Sequence, residues 1–275
     1  MGTESRHPRS IGLDRMSARE IVRLMNEEDA AVLRAVRQAE AALAQAAEAA
    51  ARAYQSGGRV VYVGAGTSGR IATADAAEMP PTFGIPATKF VAIVAGGESA
   101  GKSAIESAED DGHLAIEELE GIGLGREDFV VCVAASGRTP FVVAAARHAV
   151  QKGVLTCGIA NNREAEIFEI VDLPILLDTG PEILTGSTRL KAGTSQKLAL
   201  NAISTAAMVL SGKVIENLMV DVTAKNDKLK ERCVRIVCEL TTVNEGEARR
   251  LLESHNWNIR RVVAVVRASE PATTN

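Results

Sequence analysis

From Arg59 onward, short apolar runs alternate with helical patterns, and no other feature restricts the fold as much. Strand-like runs fall near residues 59–64, 89–95, 128–135, 155–160 and 173–178, and helical patterns near 69–78, 103–120, 140–152 and 163–170. Such alternation builds right-handed βαβ units, hence a parallel sheet with helices on both faces. Uninterrupted runs such as Phe90-Val-Ala-Ile-Val94 suit strands buried on both sides. The expected fold is α/β, a doubly wound five-stranded parallel sheet flanked by helices. N-terminal helices precede it and a C-terminal helical bundle follows.

The expected division is an N-terminal arm and helices over 1–56, a core over 57–225 and a helical region with a frayed tail over 226–275. Ser17-Ala-Arg-Glu20 is a capping box that opens a helix. Val32, Leu33, Val36, Ala39, Leu43 and Ala46 recur at helical spacing and predict one long amphipathic helix over 29–54. Trp257, in the C-terminal region, reads as a packing anchor.

Two of the strands end in loops of one chemical type. Gly64-Ala-Gly-Thr-Ser-Gly-Arg70 follows the first, and Ala135-Ser-Gly-Arg-Thr-Pro140 follows the third; each leads into a helix. Glycine lets backbone N–H groups approach a ligand, short hydroxyls add donors, and a helix N-terminus favours negative charge. Two such loops at the carboxyl ends of strands predict a pocket for a phosphorylated small molecule. The expected contacts are Gly66, Thr67, Ser68, Ser136, Arg138 and Thr139. Lys191 or Arg189 would add charge from a third loop, Thr185-Gly-Ser-Thr-Arg-Leu-Lys-Ala-Gly-Thr194.

Other classes fit less well. Residues 64–69 match Gly-x-Gly-x-x-Gly, but no acid ends the second strand where a dinucleotide ribose needs one; Glu98 lies too far on. Residues 96–103 match the P-loop pattern and include Lys102. The best later acidic partner, Asp178, follows a Pro174-containing run, and a second phosphate-type loop is unexpected in a nucleotide hydrolase. His7, His113, His148 and His255 have no metal-ligand spacing, so neither a metal nor a cofactor is expected. The net charge of −4 gives no bulk attraction to nucleic acid or anionic membrane, and 3% aromatic residues give no base-stacking platform. No apolar run has membrane-spanning length: Leu198–Leu210 is short and interrupted by Asn201. Residues 1–20 are polar, and Cys132, Cys157, Cys233 and Cys238 read as free thiols, which together predict a cytoplasmic protein.

Two acidic features stand out. Glu78 precedes Pro80-Pro81, which predicts that it occupies the last turn of its helix, where a carboxylate opposes the dipole. Glu106, Glu109, Asp110 and Asp111 crowd one helical turn, and like charges held close suit a general base. Solvated acidic surface would account for either feature alone.

Taken together, these stretches resemble the N-acetylmuramic acid 6-phosphate etherases, a family of the sugar isomerase (SIS) superfamily. The resemblance is carried by the two loops, Asp75-Ala-Ala-Glu-Met-Pro-Pro-Thr-Phe-Gly84, Glu106-Ser-Ala-Glu-Asp110, Leu184 to Thr194 and Gly212-Lys-Val-Ile-Glu-Asn-Leu-Met-Val-Asp221, and the arm Thr3-Glu-Ser-Arg-His-Pro8 and Asn26-Glu-Glu-Asp29 also fit. The glucokinase regulatory protein of mammals shares the fold and some loops. The resemblance implies an SIS-type sheet, usually paired as a homodimer, and a lyase that cleaves the lactyl ether by elimination and then hydration. No metal or nucleotide takes part. By the same resemblance Glu78 is the general acid and Glu109 the base, converging on one C2–C3 bond. Two positions depart from the family: Ala77-Glu78-Met79 replaces Ser-Glu-Cys around the acid, and Arg6-His7-Pro8 replaces Arg-Asn-Pro in the arm. A phosphosugar isomerase or a non-catalytic sugar-phosphate sensor would use the same loops, and only an NTPase would depend on Lys102.

Overall fold

A computed structural model describes residues 2–97, 106–222, 224 and 226–269. Glu98, Lys102 and Ser103 of the P-loop-like stretch, the first residues of the expected 103–120 helix and the end of the tail lie outside the described residues. The chain divides into two compact units, Met1–Ala77 with Ala87–Ala207, and Glu78–Pro86 with Met208–Asn275.

The first unit holds the sheet. Its strands are β1 (Val60–Gly64), β2 (Phe90–Val94), β3 (Phe129–Val133), β4 (Leu155–Ala160) and β5 (Leu173–Leu176), all parallel, in the order β2-β1-β3-β4-β5. Every residue of β1 and β3 is buried, which explains runs without polar alternation. Val61, Val63, Val130 and Cys132 join one core cluster with α4 (Gly112–Gly121) and α5 (Pro140–Gln151). Their neighbours Val60, Tyr62, Phe129 and Val131 are equally buried and, by the two-residue period of a strand, point to the other face. The Tyr62 hydroxyl donates to buried Asp75 (2.8 Å) on α3 (Gly66–Phe83). Ser204 on α6 (Lys191–Leu210) donates to the other oxygen of Asp75 (3.2 Å).

Three expectations need correction. The long helix over 29–54 is two helices, α1 (Ala18–Gln38) and α2 (Glu40–Gln55), hinged at Ala39. The Ala39 N–H is shared among preceding carbonyls, and its ψ of 3° opens the turn with no capping side chain to announce it. Second, α3 does not stop before Pro80-Pro81 but runs through both to Phe83. Each proline forfeits the hydrogen bond that an N–H would make to the preceding turn. The final turn closes through Gly84 N–H to the Pro80 carbonyl (2.9 Å). Gly84 is left-handed (φ 63°), and a Cβ there would lie 2.0 Å from the Asp221 carbonyl oxygen. Glu78 therefore lies more than a turn from the helix end, and the dipole argument for it weakens. Third, Glu106–Asp110 is a 3₁₀ turn, separated from α4 by Asp111, which caps α4 by accepting from His113 and Leu114 N–H (3.0 and 3.1 Å).

The second unit contains the antiparallel pair β6 (Val214–Ile215) and β7 (Leu218–Met219), then α7 (Asp227–Leu240), α8 (Glu245–Ser254) and α9 (Ile259–Ser269). Val234, Val237, Leu252, Ile259 and Val262 form its core. Trp257 packs at the edge of that core, with Lys230 Nζ 5.3 Å from its ring centroid.

Candidate active site

The strand order reverses direction at β1, whose neighbours are β2 on one side and β3 on the other. Such a switch point leaves a crevice at the carboxyl ends of the two central strands. Register sets its height, since Gly64 pairs with Val133 across the ladder and both loops leave the sheet at one level.

The first loop turns at once into α3. Gly66 has φ 52°, which favours glycine, and a Cβ built on it would lie 2.8 Å from Glu109 Oε1. The first intrahelical bond runs from Gly69 N–H to the Ala65 carbonyl (3.1 Å), so the N–H groups of Gly66, Thr67 and Ser68 have no acceptor within the helix. In the second loop, Arg138 N–H donates to Ser136 Oγ (3.2 Å) and Gly137 takes φ 68°. A Cβ on Gly137 would lie 2.2 Å from Ala165 Cβ, so close packing also demands glycine here. Thr139 is the N-cap of α5 but makes no capping hydrogen bond.

These loops and a third enclose a cleft of about 210 Å³. Gly66, Thr67, Ser68, Ser136 and Thr139 line it, with Glu109 from the 3₁₀ turn and Gly186 and Thr188 from the third loop. The arm adds Glu4, which sequence reasoning did not single out as a site residue. Ser68 is buried, while Glu109, Ser136 and Thr139 are half-buried. Arg138 is exposed and lines an adjoining pocket that shares Glu4. Glu78 is exposed on α3 and does not line this cleft.

Lys191 is not among the lining residues either. It is buried, and its Nζ pairs with Glu28 (3.2 Å). Glu28 also accepts from Arg9 (2.9 Å) and from His7 Nε2 (2.9 Å). His7 Nδ1 accepts from Arg9 N–H (3.2 Å), so its proton sits on Nε2. Burial opposes ionisation of Glu28, and hydrogen bonds from His7 and Lys191 outweigh it, leaving the carboxyl below its ordinary value. The backbone at the start of α6 is held by Glu182, fully buried, which accepts from Lys191 and Ala192 N–H (3.1 and 2.9 Å). Burial raises its carboxyl above the usual range, and the two N–H groups only partly offset this. No spacing in the sequence pointed to Glu28, whose partners His7 and Lys191 are far along the chain, or to Glu182, whose partners are backbone N–H groups that leave no side-chain signature.

Comparison with known proteins follows the same line. A family model described as the glucokinase regulatory protein N-terminal SIS domain matches residues 42–150. An N-acetylmuramic acid 6-phosphate etherase from Geobacillus sp. (strain WCH70) is 46% identical over 264 residues, 96% of this chain and 90% of the relative. That of Actinobacillus pleuropneumoniae serotype 5b is 43% identical over 274 residues, 100% of this chain and 90% of the relative. Among solved structures, a phosphoheptose isomerase from Francisella tularensis superposes with a TM-score of 0.55 at 17% identity, over 70% of this chain and 98% of that one. The Vibrio vulnificus NanR protein complexed with ManNAc-6P gives 0.51 at 16% identity, over 81% of this chain and 70% of that one. The solved structures share the fold alone with this chain, which has the SIS-type sheet. This chain matches both etherases along nearly its whole length, and it belongs to the N-acetylmuramic acid 6-phosphate etherase family.

Proposed function

We propose that the protein, a carbon–oxygen lyase by its family, cleaves the D-lactyl ether of N-acetylmuramic acid 6-phosphate with water. The products are N-acetylglucosamine 6-phosphate and D-lactate, and the cleft at the ends of β1 and β3 is the sugar-phosphate site. One observation carries the reading: the Glu109 carboxylate lies against Gly66, in a cleft where N–H groups that have no acceptor within α3 meet short hydroxyls.

The phosphate sits on the N–H groups of residues 66–68 with Ser68, Ser136 and Thr139, where the start of α3 favours negative charge. Its binding energy holds the sugar in place. In the open-chain sugar, C2–H is acidified by the C1 aldehyde, and Glu109 takes that proton. The C3–O bond then breaks, and the departing lactyl oxygen, a poor leaving group as an alkoxide, needs a proton; the family resemblance gives that role to Glu78, which is not among the residues lining this cleft. The resulting unsaturated aldehyde adds water at C3 and regains a proton at C2. Each proton transfer contributes ~10²–10⁴-fold, and two carboxyl groups in different surroundings can divide the work. Arg138 adds positive charge from the adjoining pocket. Lys191 enters through its ion pair with Glu28, which steadies the third loop, rather than by touching phosphate.

The reading extends to location and assembly. Free cysteines at 132, 157, 233 and 238 support a cytoplasmic protein. Among the described residues no helix is long and apolar enough to cross a membrane. An apolar groove lined by Leu33, Val36, Leu43, Ala47 and Ala206, with Leu33 63% exposed, supports pairing with a second copy of the chain. A single-chain mass by light scattering would contradict that pairing.

The test is incubation of purified protein with N-acetylmuramic acid 6-phosphate. Stoichiometric D-lactate supports the etherase reading. An aldose–ketose interconversion without lactate would replace it with an isomerase, and binding without product would replace it with a sensor.

A further inference from the structure

We infer that Glu4, carried into the cleft by the N-terminal arm, is a specificity-determining residue that accepts hydrogen bonds from the neutral part of the sugar. This rests on the sugar-phosphate reading of the cleft.

The arm is fixed on both sides of Glu4. Before it, Thr3 is fully buried and its N–H donates to Asn162 Oδ1 (2.9 Å). Asn162 Nδ2 returns a hydrogen bond to Thr3 Oγ1 (3.2 Å) and donates to the carbonyl of Ala135 (3.2 Å), the residue before Ser136. After it, His7 is buried and donates to Glu28, whose carboxylate also holds Lys191 at the start of α6. One anchor thus reaches the second phosphate-type loop and the other the end of the third. Both ends of the short segment between them are ordered by side chains that also order the cleft.

Glu4 itself is used differently. Among the described residues its carboxylate makes no hydrogen bond or ion pair, although Thr3 and His7 beside it are fully engaged. It lines the cleft and lies against Gly186, where an added Cβ would be 3.2 Å from Glu4 Oε2. Gly186 (φ 75°) gives Glu4 room from the third loop, as Gly66 (φ 52°) gives Glu109 room from the first. Two carboxylates therefore border one cleft, each against a left-handed glycine.

A second carboxylate cannot serve the phosphate, since like charges repel. It can accept from a hydroxyl or an amide N–H, both of which a 2-acetamido sugar offers. Hydrogen bonding to an ionised acceptor rejects ligands that lack the donor more strongly than apolar contact does. Glu4 would thus separate N-acetylated sugar phosphates from bare phosphate compounds, while Glu109 does the chemistry.

The test titrates the full chain with N-acetylglucosamine 6-phosphate and, separately, with inorganic phosphate as its competitor. Glu4→Ala should weaken the sugar phosphate ~tenfold and leave inorganic phosphate within about twofold, the pattern for one lost hydrogen bond to a charged group. Glu4→Gln keeps the length and one acceptor oxygen and should recover part of the loss. Unchanged sugar-phosphate affinity in Glu4→Ala would overturn the inference. Equal weakening of both ligands would also overturn it, because Glu4 would then only be propping the arm. Failure of the wild type to release D-lactate, with the Glu4→Ala discrimination intact, would sink the etherase reading and leave this one standing.

Discussion

The two ends of β1 and β3 put polar groups to opposite uses. At their amino ends Arg59 and Asp128 close on each other. The Arg59 guanidinium donates to both Asp128 oxygens (3.1 and 2.6 Å) and to the carbonyls of Ile122 and Gly123 (2.7 and 2.9 Å). The N–H groups of Arg59 and Gly125 complete the Asp128 shell (2.8 and 2.9 Å). At the carboxyl ends, the N–H groups that start α3 and the Glu4 carboxylate face a cleft instead of each other. Polar groups that satisfy one another hold the sheet, and those left facing a cavity await a ligand. The contrast predicts that variants at the two ends separate stability from activity.

The largest expected effect is at the open end. Glu109→Gln should lower kcat ~10³-fold, the scale of one lost proton transfer, and leave the melting temperature almost unmoved. Steady-state lactate release with a thermal melt checks both halves, and a fall in stability matching the fall in activity would erase the distinction.

At the closed end, Asp128→Asn should destabilise the fold by ~1–2 kcal/mol, because it removes the charge from a buried carboxylate that holds a half-buried guanidinium. Activity per folded molecule should survive. Burial opposes ionisation of Asp128, but the hydrogen bonds from Arg59 and Gly125 outweigh it and hold the carboxyl below its ordinary value. A carboxyl lowered on folding adds stability above its unfolded pKa, and that stability is lost as pH falls through the folded pKa. The gap between wild type and variant should be full at neutral pH and close in acid, below about 4. Urea melts across that range measure it.

A smaller effect is expected from Ser136→Ala, which removes one hydroxyl from the cleft and leaves the loop's backbone in place. KM should rise ~tenfold with kcat nearly kept, as for one lost hydrogen bond to a charged group. An equal fall in kcat would move Ser136 from binding to chemistry.

How much of this was legible in the sequence follows from the range of each interaction. The five strands were, because burial on both faces writes itself as contiguous apolar residues. The loops at Gly64 and Ala135 were, because glycine and small hydroxyls mark a helix start. The Ala39 hinge was not, since one opened turn changes no apolar spacing. Nor was the passage of α3 through Pro80-Pro81 to Gly84, whose close neighbour Asp221 is distant in the sequence. Lys191 read as a surface or phosphate cation because its partner Glu28 is 163 residues away. Glu4 passed unnoticed as a site residue because an arm before the first helix carries no periodic signal.

The role of Glu109 can be tested most directly by running the reaction in D₂O enriched in H₂¹⁸O and analysing both products by mass spectrometry. Elimination and hydration driven by Glu109 put one deuterium at C2 and one ¹⁸O at C3 of N-acetylglucosamine 6-phosphate, and Glu109→Gln loses both labels together with the lactate. Unlabelled sugar with ¹⁸O in the lactate, or full labelling by Glu109→Gln at the wild-type rate, would contradict it.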